Sequence, residues 1–349
     1  MGKKNVLLGI ILGMVLILSL LISKERIDDV PTTMVKNKIK QASIVIINKD
    51  AITQLPIKDS EYVIMREASG EVIETMKTDA AGKATSRLLD YEATSYIIKQ
   101  KQVMLPYKLS DVEFLVEVNA PILEFEDTNQ MLDYVKEVGR TADGQIEIKK
   151  VLMNVNTLMQ KPELPNGCEI VSLTAVLNYY GYKVTKTEMS DTYLPKESFA
   201  VNENKLYGPD PYKAYGGNPR NLNGAFFSYS PPIVEAAKLY FDAVGGRNSI
   251  ADISGSSKEQ IIEYLNKGIP VVVWITLDLS KPQINAGWYL NDSGEYFPAP
   301  VNLHVVVLNG YEENLVHVMN PLEGQVTYNA DTFFKSYDEI GSHALIVGN

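Results

Sequence analysis

The sequence predicts a β-rich first domain and a larger α+β second domain, both behind an N-terminal apolar helix. Three observations carry this. Residues 6–22 are almost wholly apolar. Residues 43–119 break into short runs rich in β-branched and aromatic residues, with turn residues between them. From about residue 150, helix-length segments alternate with continuous apolar runs. A length of 349 residues fits two domains.

The apolar stretch is at the short end for a helix that spans a bilayer. Lys3 and Lys4 precede it as in a signal sequence, and Leu21 and Ser23 make a poor cleavage pair. The expectation is an uncleaved signal anchor, a transmembrane helix over residues 1–23, with cleavage as the second reading. Lys24, Arg26, Lys36, Lys38 and Lys40 lie just beyond the span, so charge counting alone does not place the C-terminus outside. The signal-like start and the domain content do. The expected placement is single-pass in the cell membrane, with the C-terminal domains extracellular. Residues 24–42 are polar and read as a stalk.

Composition narrows the function classes. The formal charge is −10, and no basic run interleaves with aromatics, which argues against nucleic acid as a partner. One cysteine forms no intramolecular disulfide. With three histidines it does not supply a usual structural zinc set, and no cofactor is expected.

In the first domain, 43–120, the runs Ser43–Ile47, Tyr62–Met65, Val72–Met76, Tyr96–Lys99 and Phe114–Val118 read as strands of a small antiparallel sandwich, with a turn at Thr78–Lys83. Thr78-Asp79, Gly82-Lys83, Tyr96-Ile97-Ile98-Lys99-Gln100 and Pro106-Tyr107 resemble the prealbumin-like pilin domains of the SpaA or collagen-adhesin B type, stalk modules of Gram-positive surfaces. The resemblance implies an all-β prealbumin-like sandwich, often carrying a Lys–Asn isopeptide bond. Lys49 and Asn119 are its candidate partners. Gln100 stands where the promoting acid is usual, so no bond is expected. Residues 121–149 read as a connector. A short helix there would be capped by Asp127 or Thr128, with Met131, Leu132, Val135 and Val138 on one stripe and Gly139 at its end.

The second domain, 150–349, is organised around Gln160-Lys161-Pro162-Glu163-Leu164-Pro165-Asn166-Gly167-Cys168-Glu169. The next residues are apolar on every side of a helical wheel and end at Gly181, which reads as a buried helix. Cys168 then lies at the helix N-terminus, where unpaired N–H groups and the helix dipole favour a thiolate. A lone cysteine without context is more often a small buried residue. The turn Leu164–Gly167 presents this one, however, and Gln160 offers an amide to an oxyanion. Asp191–Gly224, rich in Gly, Pro, Asn and Tyr, reads as an ordered loop bordering a cleft or as a structural loop. Helices are expected from Pro232 and from Ser256 or Ser257, and a buried strand over Ile269–Leu277.

Leu303–Tyr311 and Leu315–Asn320 flank a short polar turn and read as a β-hairpin. With a three-residue loop, Val306 faces Asn320 and His304 lies diagonally beside it. A thiol catalyst needs a base and a group to orient the imidazole. His304 and Asn320 can fill those roles. The alternatives are a satisfied core histidine and an Asx turn before Pro321. His317 and His343 read as structural.

The blocks around Gln160–Glu169, Leu177–Tyr182, Tyr193–Lys196, Pro231–Val234, Pro270–Trp274 and His304–Tyr311 together resemble the papain-like cysteine peptidases related to the double-glycine-leader peptidases of bacteriocin exporters. The resemblance implies an α+β papain-like fold with Cys168 as nucleophile, His304 as base, Asn320 as orienting residue and Gln160 as oxyanion donor. Many relatives have Asp-Pro where this chain has Asn320-Pro321. The expected function is hydrolysis of peptide or amide bonds in a peptide or protein substrate, or in a cell-wall peptide. A surface adhesion or scaffold protein with a silent peptidase-like domain is the alternative. A thiolate–imidazolium pair is expected between Cys168 and His304.

Overall fold

The structure is a computed structural model and describes residues 41–90, 95–141 and 146–348. Among these, no helix is long and apolar enough to cross a membrane. The fold is mostly β with few helices. This corrects the expected fold class and localisation. The segment assigned to a membrane-spanning helix lies outside the described residues, and the single-pass placement that depended on it drops out with it.

In the first domain, β1 (Gln41–Asp50) pairs with β4 (Lys83–Thr85) and β5 (Leu89–Asp90). A second sheet has the order β3 (Val72–Lys77), β2 (Glu61–Arg66), β6 (Ser95–Gln102), β7 (Glu113–Glu117). Alternation along the strands turns Ile44, Ile46, Tyr62, Ile64, Tyr96 and Ile98 into one shared core. The turn after β3 forms because the Asp79 carboxylate accepts from the Ala81 and Lys83 N–H groups.

The connector helix is not formed. β8 (Ile122–Asn129) runs parallel to β1 over its whole length, which extends the first domain to Asn129. Asp127, assigned to a helix cap, is buried and accepts from the Tyr62 and Ser110 hydroxyls. β9 (Val135–Arg140) pairs with β10 (Ile146–Leu152). An apolar stripe of four residues is a weak local signal, and strand pairing overrides it, with distant β1 for β8 and with the next strand for β9.

Lys49 and Asn119 are not brought together at Gln100. Lys49 forms an ion pair with Glu126, and Asn119 is exposed. Gln100 is buried, donates to Tyr62 Oη at 3.1 Å and Asn129 Oδ1 at 2.9 Å, and accepts from the Ser110 N–H at 2.8 Å. Replacing Gln100 by leucine strands these partners in the core. Urea denaturation should show a loss of roughly 1–3 kcal/mol; no change in midpoint would mean the network adds nothing.

The second domain contains one eight-stranded sheet. Its main path is β11 (Ser249–Asp252), β18 (Ala344–Gly348), β12 (Val271–Thr276), β15 (Leu303–Glu312), β10, β9. β16 (Leu315–Asn320) pairs with β15 and with β17 (Gly324–Asn329). Three helices pack around the sheet with the cysteine helix. They are α2 (Ser230–Val244), with prolines in its first turn; α3 (Lys258–Asn266), with a Ser257–Gln260 capping box; and α4 (Ala330–Glu339). β13 (Ile284–Leu290) and β14 (Tyr296–Pro300) form a hairpin beside it. Every residue of β12 is buried, as its continuous apolar run requires.

Candidate active site

The cysteine helix, α1, spans Cys168–Tyr179, and residues 168–177 are all buried. Gly167 precedes it without a side-chain cap. A Cβ on Gly167 would lie 2.9 Å from Leu164 Cβ, so this position needs glycine to let the turn close against Leu164. The turn is held from outside as well. Tyr215 Oη donates to the Asn166 carbonyl at 2.5 Å, and Asn166 N–H donates to the Pro219 carbonyl. The Gly-, Pro- and Tyr-rich loop therefore buttresses the cysteine turn.

Ser172, one turn after Cys168, donates to the Val305 carbonyl at 3.2 Å. This bond docks the cysteine end of α1 on β15 beside His304. The β15–β16 turn is one residue tighter than expected: Glu312 faces Leu315, and Glu313 takes a left-handed conformation with φ 45°. A bulge at Asn309 restores the register, so Val307 faces Met319 and the next step sets Asn320 against Val306.

His304 is almost fully buried, and its Nε2 lies 2.8 Å from Asn320 Oδ1. That oxygen also accepts the Leu322 N–H, while Asn320 Nδ2 donates to Tyr328 Oη. These bonds orient the amide, so Nε2 carries the proton and Nδ1 is left as the basic nitrogen. Gln160 is tied to the same region by its N–H, which donates to the Pro321 carbonyl at 2.8 Å. Its Nε2 donates to the Pro165 carbonyl, and its Oε1 has no partner among the described residues.

Gln160, Cys168, Glu169 and His304 line one cleft of about 310 Å³, with Phe226, Phe227 and Val301 among its walls. His317 lies elsewhere, 3.6 Å from Glu312, and His343 stacks on Tyr229.

A family model for the Peptidase_C39 like family matches residues 152–345. The chain belongs to this family. It is 27% identical over 239 residues to the uncharacterized protein YvpB of Bacillus subtilis strain 168, covering 68% of this chain and 88% of that one. A proposed C39-like peptidase from Bacillus anthracis, known from its crystal structure, is 26% identical. It covers 58% of this chain and 98% of its own, with a TM-score of 0.51. The pilus 2b backbone protein of group B streptococcus covers 26% of this chain and 41% of its own at 16% identity. Its TM-score of 0.22 supports no assignment of the first domain.

The electrostatics of this C39-like site differ from expectation. Burial pushes the Cys168 thiol well above its ordinary value, and the neighbouring Glu169 charge and hydrogen bond push it further. The Val305 and Glu169 N–H groups act the other way but do not win. Burial pushes His304 below its ordinary value, opposed by the Asn320 bond and the Glu323 charge. Both directions favour a thiol and a neutral imidazole over the expected thiolate–imidazolium pair. A helix N-terminus contributes up to about 2 kcal/mol, whereas full burial moves a pKa by up to roughly 3–5 units.

Glu169 carries no role in the sequence reading. Yet it is fully buried, its Oε2 accepts the Cys168 thiol at 3.3 Å, and its Oε1 accepts the Ser228 N–H at 3.1 Å. The signal was present: an acid in a helix apolar on all sides has no solvent to face. Burial raises its pKa from 4.5 to about 7. The folded state then holds a proton that the unfolded state has released, so stability falls as pH rises from about 4.5 to about 7. Relative to Glu169→Gln, the parent should lose roughly 3 kcal/mol between pH 4.5 and pH 8. Parallel urea titrations of the two proteins would test this; a constant difference would contradict it.

Proposed function

We propose that this domain hydrolyses peptide or amide bonds through Cys168, with His304 as base, Asn320 orienting the ring and Gln160 donating to the oxyanion. The observation that carries the reading is the buried His304 Nε2–Asn320 bond in a histidine that shares a cleft with Cys168. With Nε2 protonated, Nδ1 takes the thiol proton as Sγ attacks the carbonyl carbon. One Gln160 N–H is engaged by Pro165, which leaves the second for the oxyanion. The imidazolium then protonates the leaving nitrogen as the C–N bond breaks, leaving a thioester. Water, deprotonated at Nδ1, attacks the thioester to release a carboxylate and restore the thiol.

The substrate class is a peptide or protein chain, with cell-wall peptides as the second source. Asn320 in place of aspartate keeps the orienting role without a charge. Incubating the purified chain with a peptide library, with casein and with cell walls, and reading the products by mass spectrometry, tests the reaction class. Cleavage in none of the three would contradict it.

A further inference from the structure

Two groups able to take a proton line the cleft with Cys168. His304 shares the cleft with Cys168, but the hydrogen bond Cys168 makes is to Glu169. Glu169 is itself fixed. Its second oxygen holds the Ser228 N–H, and the Ser228 carbonyl is anchored by Trp274 Nε1 at 2.9 Å. The titratable groups around the carboxylate are Cys168 on its own helix and Tyr215 across the loop, with His304 on the cleft wall. Lys161 lines the same cleft but forms no ion pair with the carboxylate.

We infer that Glu169 is a positioning residue that withholds the Cys168 proton from His304 while ionised and frees the thiol when protonated. An ionised carboxylate accepts S–H and opposes a second negative charge on sulfur. A protonated one is a weaker acceptor, carries no charge to oppose the sulfur, and has an O–H that can donate to it instead. Because burial holds the Glu169 transition near 7 and His304 below its ordinary value, a window on the acidic side of neutrality has a released thiol and a neutral base together. The catalytic consequence rests on the function proposed above; the latch itself does not.

Glu169→Gln keeps the shape and an acceptor for Ser228 N–H but removes the charge. Iodoacetamide alkylation of the sole cysteine should be similar in parent and variant at pH 5. The variant should become faster with rising pH, by about tenfold or more at pH 8.5. Glu169→Asp retains the charge and should stay closer to the parent. A rate ratio that is flat with pH, or below one throughout, would overturn the inference. If Glu169→Gln does not fold, the S–H stretching band of the parent decides. It arises from one cysteine and should shift as pH passes through about 7; a band that does not move would overturn it. An alkylation ratio as expected, with no hydrolysis of any substrate, would leave the latch standing and remove the hydrolase.

Discussion

Cys168→Ala should remove the proposed hydrolysis by at least about 10³-fold, because the proposed thioester forms only on Cys168. The fold survives. The side chain is small, and its removal leaves a minor gap costing about 1–2 kcal/mol or less. Glu169 also loses a donor, so its carboxyl should titrate at a slightly different pH. The check is turnover on a cleaved peptide beside a denaturation curve. Activity equal to the parent in a folded variant would exclude Cys168 as nucleophile.

His304→Ala is expected to cost nearly as much, since nucleophile and base act as one unit and their losses do not add. Its signature is in the pH profile. The parent should gain activity as His304 loses its proton, with a limb below the ordinary imidazole value of 6.5. Asn320→Asp places a carboxylate on the Nε2 proton and raises the imidazole pKa. In the proposed mechanism neutral imidazole is the working form, so that limb should move to higher pH. A limb unmoved by Asn320→Asp would mean that the residue at 320 does not act on His304.

Much of this arrangement is legible in the chain. The cysteine helix reads correctly because it is apolar on every side, which only a buried helix tolerates. The strands of the first domain and the hairpin bearing His304 read correctly because alternation and a polar turn are local signals. The hairpin also shows the limit. Its turn is a residue tighter than expected, and the bulge at Asn309 compensates; Gly310 permits that geometry because a Cβ there would meet the Val151 carbonyl at 2.2 Å. That close approach comes from a strand more than 150 residues away in sequence. The connector misled for the same reason at β8, whose partner β1 is distant in sequence, whereas β9 pairs with the next strand, β10. Charge state was the least legible property. The helix dipole can be read from position, but the burial of Cys168, Glu169 and His304 depends on the whole packed domain, and burial decides.

The most direct test of Cys168 and His304 acting as a pair is intact-mass and peptide-level detection of a covalent adduct after brief exposure to electrophilic peptides. The proposed chemistry predicts one adduct per chain, on Cys168, that forms at least about tenfold more slowly in His304→Ala at the same pH. No adduct on the folded parent, or an adduct formed equally fast without His304, would contradict it.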